Sequence, residues 1–182
     1  NVVTDEDALL AFKKNKSATL FTNLIRTFLT NFKIREFNFD YLKKRLNAKD
    51  KEGNLIFEGY KKMKAEAFIY LFENFYSSYH KVLKSESEDG SIDFEDMIIF
   101  GKKRIDIDNL KYLIVDEFQD ISPLRASLIK NLRKFSNFNF FCVGDDWQSI
   151  YRFAGGEIGI MVWDSEFEKY FGKRKIRTLE ST

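Results

Sequence analysis

At 182 residues, the chain has the length for one large domain or two small ones, with room for a substantial core. Its 44% hydrophobic and 32% charged content, with no apolar run near the roughly 20 residues a bilayer span needs, points to a soluble globular protein without a membrane partner. A net charge of +2 is too small to imply nucleic acid, and one cysteine (Cys142) with one histidine (His80) excludes an internal disulfide, argues against a zinc site and fits a reducing, cytoplasmic setting.

The opening, NVVTDEDALLAF, has neither a basic n-region nor an initiator Met, so the expectation is no secretory signal and a piece of a longer protein. Leu9, Leu10 and Phe12, then Leu20, Leu24, Ile25, Phe28, Leu29 and Phe32, recur at helical spacing. Residues 1–50 carry 10 basic and 6 acidic groups, a mild excess that either faces phosphates or simply coats a solvated helix. FDYLKKRLN predicts a short helix, and Gly53-Asn54 a break before the next. A long helix is expected from Leu55 to Lys84. Its apolar stripe, Ile56, Tyr60, Met63, Ala67, Leu71, Phe75, Tyr79 and Val82, would be bundle core, with His80 on the polar flank.

SESEDGS (85–91) is a loop, and the pattern then changes. IDFEDMIIFGKKR predicts a short helix capped by Asp93. LKYLIV (110–115) and FNFFCVG (138–144) are apolar runs suited to buried parallel strands. SPLRASLIKNLRKF between them predicts a helix with Ser122 as N-cap and Pro123 in the first turn, hence a βαβ crossover. A helix near Glu166 to Phe171 and a strand at IRTLES end the chain.

Both strands run into polar clusters: Asp116, Glu117 and Asp120 after the first, Gly144, Asp145, Asp146 and Gln148 after the second. In open α/β sheets ligands bind beyond the carboxyl ends of the strands. Adjacent acids there can divide two tasks, one holding the water shell of a Mg²⁺ on nucleotide phosphates, the other deprotonating the attacking water. Acidic turns after strands are common, so the first cluster alone decides little. Gln148 adds an uncharged hydrogen-bonding group for a terminal phosphate. Tyr151 and Phe153 flank Arg152 in a pattern suited to stacked bases, although either aromatic alone also suits a core.

DEFQD (116–120) followed by VGDDWQSIYRFAGG (143–156) resembles motifs II and III of the UvrD/Rep-type superfamily 1 DNA helicases, in wording nearest to their helicase IV branch. IDFEDMI (92–98) is similar to the segment preceding motif II in that family. The resemblance implies an α/β fold: a mainly helical 1B-like subdomain over 1–90, then the C-terminal part of a RecA-like (P-loop NTPase) domain 1A over 91–182. It implies ATP and Mg²⁺ as cofactors and single-stranded or duplex DNA as partner. Asp116 would hold Mg²⁺ through water, Glu117 would be the catalytic base, and Gln148 would contact the γ-phosphate. Gln119, Asp120, Asp145 and Asp146 would couple nucleotide state to neighbouring motifs, and Tyr151, Arg152 and Phe153 would lie by the single strand. Phe153 stands where many relatives have a stacking Trp, and Ala154 where many have Arg.

The phosphate loop G-x-x-x-x-G-K-[ST] does not occur in the chain. The resemblance implies a 3′→5′ helicase or translocase in the parent protein, with a Walker A segment and a second RecA-like domain supplied from elsewhere. The chain by itself should be inactive and, with sheet edges uncovered, inclined to self-associate. The alternatives are a DNA- or protein-binding module with a degenerate site, and the helicase part of a recombination nuclease-helicase.

Overall fold

The computed structural model describes residues 16–85, 90–104, 107, 109–150 and 155–179. They fall into two units, Asn1–Phe32 with Phe37–Ser91, and Lys33–Glu36 with Ile92–Thr182.

The first unit is helical. Helix α1 (Lys16–Ile34) has no Gly or Pro, and its Ile25, Leu29 and Phe32 form one buried stripe at spacings of four and three. Helix α2 (Phe39–Arg45) starts at Asn38, whose side chain accepts a hydrogen bond from Tyr41 N–H at 2.7 Å. A turn follows in which Asp50 Oδ1 accepts from the N–H groups of Glu52 and Asn54, both at 2.9 Å, with Gly53 at φ +91°. The predicted break is thus built on an Asx turn. Helix α3 (Gly59–Ser85) packs its Phe68, Ile69, Phe72 and Tyr76 against α1. Phe28 meets Phe68 and Phe72 edge-to-face, with centroids 4.9 and 4.7 Å apart. The sequence holds 20 phenylalanines, and this cluster takes up several of them.

The predicted stripe on the long helix is corrected. The helix begins at Gly59, four residues later than expected, and Tyr60, Met63, Leu71, Phe75 and Val82 are exposed. Both faces carry apolar residues at helical spacing, and the one bearing Phe68 and Phe72 interlocks with the rings of α1. His80 is half-buried edge-on to Tyr76, centroids 4.4 Å apart, and does not sit on a polar flank. Leu20 and Leu24 of α1 are also exposed.

The second unit holds helix α4 (Phe94–Arg104), strand β1 (Tyr112–Val115), helix α5 (Pro123–Leu132), strand β2 (Asn139–Cys142) and the short helices α6 (Gly159–Val162) and α7 (Asp164–Phe171). Asp93 Oδ1 accepts from Asp96 N–H at 2.8 Å and caps α4; Ser122 Oγ accepts from Arg125 N–H at 3.3 Å and caps α5. β1 and β2 pair in parallel, Tyr112 opposite Asn139 and Val115 opposite Cys142, with α5 as the crossover.

The strands are not buried on both faces. Leu113, Val115, Phe140 and Cys142 face the core around Phe118, Ala126, Phe167 and Phe171, whereas Tyr112, Ile114 and Phe141 are exposed. Burial pushes the Cys142 thiol up to about 11, with Arg174 opposing. The described sheet has these two strands. The strand expected at the C-terminus does not form over residues 176–179, which pair with neither described strand. Ile176 and Leu179 are exposed.

Candidate functional site

Backbone ties bring the two strand ends together. Val143 N–H donates to Val115 O at 2.9 Å, and Phe118 N–H donates to Val143 O at 2.8 Å. The chain leaving β1 therefore turns across the end of β2. The turn falls on Glu117, which has φ +51° and ψ +43°, left-handed backbone that a non-glycine residue holds at a cost of about 1–2 kcal/mol. Such outliers cluster where function requires a side chain to be aimed. A 3₁₀ turn over Phe118–Asp120 follows, pinned by the buried Phe118 ring.

Gln119 is the pivot. It is 2% exposed, and its Nε2 donates to Glu117 Oε2 at 2.5 Å while its Oε1 accepts from Asp145 N–H at 3.0 Å. Asp145 in turn accepts from Trp147 N–H at 3.1 Å and, through Oδ2, from Gln148 Nε2 at 2.9 Å. Glu117, Gln119, Asp145 and Gln148 thus form one connected chain. Gly144 makes it possible: a Cβ there would lie 2.5 Å from Gln119 Oε1 and 2.9 Å from the backbone nitrogens of Phe118 and Gln119.

Glu117, Gln119, Asp120, Gln148 and Ile150 line an open recess of about 510 Å³. Asp116 stands exposed beside it, its Oδ1 accepting from Glu117 N–H at 2.8 Å. Asp120 Oδ1 is buried and has no hydrogen-bond partner among the described residues. Asp146 is exposed and accepts, through its backbone carbonyl, from Ser149 N–H at 3.3 Å. Tyr151, Arg152 and Phe153 lie outside the described residues, as does Ala154. Trp147, to which the sequence assigned no role, is 92% exposed between Asp146 and Gln148.

Among the described residues no Lys or Arg forms an ion pair with Asp116, Glu117, Asp120, Asp145 or Asp146. Five carboxylates without a cationic partner among the described residues attract cations and repel a bare polyphosphate. No group of three or more His, Cys, Asp or Glu converges to cage a metal among the described residues. The arrangement can therefore orient a water or share a hydrated cation, and needs positive charge from elsewhere to hold phosphates.

A family model described as the UvrD/REP helicase N-terminal domain matches residues 3–169. DNA helicase IV of Escherichia coli (strain K12) is 42% identical over 106 residues, which cover 55% of this chain and 14% of that protein. ATP-dependent DNA helicase Rep of Buchnera aphidicola subsp. Baizongia pistaciae is 35% identical over 107 residues, 53% of this chain and 15% of the relative. An ATP-dependent helicase/nuclease subunit of Pediococcus pentosaceus is 28% identical over 153 residues, 71% of this chain and 12% of the relative. The chain thus spans about a seventh of the length of these relatives. No solved structure matches it. A family match over most of the chain, on the residues that build this acidic strand-end site, establishes that the chain belongs to the UvrD/REP helicase N-terminal domain family.

Proposed function

We propose that the chain carries the motif II and motif III part of an ATP- and DNA-coupling site in a cytoplasmic, ATP-dependent 3′→5′ DNA helicase or translocase of the kind that serves DNA repair. Residues 1–90 are read as a 1B-like helical subdomain and 91–182 as the C-terminal part of a RecA-like domain 1A. The observation that carries this proposal is Glu117, an acid in left-handed backbone whose carboxylate is gripped by a buried amide tied in turn to the Gln148 loop.

In this reading Glu117 accepts the proton of the attacking water, and Gln119 holds its carboxylate at one angle. Gln148 donates to the γ-phosphate, and its bond to Asp145 links that contact back to Gln119. Asp116 fits an outer-sphere hold on Mg²⁺: one oxygen is engaged by Glu117 N–H, and the other has no donor among the described residues. The ion would offset phosphate charge when bound. Asp120, with its orphaned buried oxygen, and Asp146 belong to the coupling set with Gln119 and Asp145. Tyr151, Arg152 and Phe153 are proposed to meet single-stranded DNA, and Trp147 adds an exposed ring suited to base stacking.

The chain alone is proposed to be inactive, since its carboxylates lack the cations that a Walker A segment and a second RecA-like domain would bring. The test is strand separation by the parent protein. ATP-dependent unwinding of a 3′-tailed duplex, absent on a 5′-tailed one and lost in Glu117→Gln, is expected. Equal unwinding by the variant would remove Glu117 from the chemistry. Similarity to a helicase/nuclease favours a second reading, the helicase part of a recombination nuclease-helicase. Degradation of linear duplex DNA by the parent would distinguish it.

A further inference from the structure

Residues Lys33–Glu36 continue directly from the first unit's part of α1, yet they belong to the second unit. Each of the four is attached to a different place there. Lys33 is buried, its Nζ 2.5 Å from Asp93 Oδ2 and 2.8 Å from Asp96 Oδ2 at the start of α4. Ile34 lies against Gly155, so closely that a Cβ on that glycine would come within 2.7 Å of the isoleucine Cδ1. Arg35 Nη1 is 3.3 Å from Glu157 Oε2. Glu36 pairs with Lys102, which also donates to Ser127 Oγ on α5 at 2.9 Å. Glu36 sits at φ +53° in the closing turn of α1, a place usually filled by glycine or asparagine. Keeping a glutamate there makes sense if its carboxylate is needed.

Two of these attachments converge on residues 155–157, just after the DDWQSIY stretch. Glu157 N–H also donates to Ile121 O at 2.9 Å, and Ile121 directly follows Asp120. The exits of DEFQD and of DDWQSIY are therefore bonded to each other through Glu157, and Arg35 holds the same residue from its side chain. Arg35 is not among the residues that line the recess.

We propose that Arg35 is a positioning residue: its ion pair with Glu157 fixes the exit of motif III against the exit of motif II, so that DNA occupancy accelerates hydrolysis at Glu117. This rests on the helicase reading above. Arg35 and Glu157 side chains are about a third exposed, and ion pairs that open contribute little to stability. Their removal should leave the fold standing and the coupling broken.

The experiment uses the full-length parent with Arg35→Glu, Glu157→Arg and the double reversal, measuring ATP hydrolysis with and without single-stranded DNA, alongside the melting temperature. The expected result is unchanged DNA-free hydrolysis and melting in each single variant. The DNA-stimulated rate falls roughly tenfold, within the range of typical coupling between sites, and the double reversal restores it. Arg35→Lys, which retains the charge, should keep most of the stimulation. Stimulation equal to wild type in both single variants, a parallel fall in basal and stimulated rates, or failure of the double reversal to rescue would each overturn the proposal alone. A wild-type parent indifferent to DNA would overturn the helicase reading and this inference together.

Discussion

Glu117 and Gln119 differ in what they risk. Glu117 is held in left-handed backbone by the ties on either side of it, while Gln119 fills both of its hydrogen-bonding roles in a buried position. Gln119→Leu keeps the volume and removes both bonds. It leaves Asp145 N–H without its partner and Glu117 free to rotate. The expected outcome in the parent is a loss of stability of about 1–3 kcal/mol by urea unfolding. The DNA-stimulated kcat should also fall, by about 100-fold, since misplacing a reacting group by an ångström has that effect. A wild-type kcat in a folded variant would show that the amide grip is incidental. DEFQD and the Gln148 segment stood out as a candidate site because two parallel strands deliver acids and an amide to the same end of the sheet, where either cluster alone decides little. The wiring through Gln119 was not: nothing in a sequence indicates that one glutamine is buried and reaches both a preceding acid and a loop 26 residues on.

At the scale of elements, capping signals proved reliable and faces did not. Asp93, Ser122 and the Asp50–Asn54 turn all form the local bonds their side chains favour, since those bonds depend on neighbours within a few residues. The buried face of α3 depends on which residues α1 offers it. Two apolar stripes with helical spacing coexist on α3, and only packing chooses between them. The choice makes a sharp prediction. Phe72→Ala, at a fully buried position among Phe28, Phe32 and Phe68, should lower unfolding free energy by about 3–5 kcal/mol. Phe75→Ala, on the exposed stripe, should change it by no more than about 0.5 kcal/mol. Denaturant melts of both variants decide this, and equal losses would mean that the other stripe is also covered. The strand expected at IRTLES is absent over the described 176–179 for a related reason: its composition suits a strand, but a strand exists only where an edge pairs with it.

For the molecule as a whole, the uncovered face of the sheet is the main liability. Parallel sheets are normally covered on both sides, yet Tyr112, Ile114 and Phe141 are open to solvent. The chain by itself is expected to self-associate through this face, giving a concentration-dependent mass by light scattering that Ile114→Lys with Phe141→Lys reduces. A constant monomeric mass at high concentration would contradict that. No described helix is long and apolar enough to cross a membrane. The family was legible from 45 residues of motif because those residues answer to chemistry. The helical unit was legible only as helices, because its sequence answers to packing. The central claim is that Glu117 is the base of a DNA-driven ATPase. The most direct test is the rate of ATP hydrolysis by the full parent, with and without single-stranded DNA, beside its Glu117→Gln variant. The predicted result is strong stimulation by DNA in the parent and at least a roughly 100-fold lower rate in the variant, in line with the typical contribution of a general base. DNA-stimulated hydrolysis that survives the substitution would contradict it.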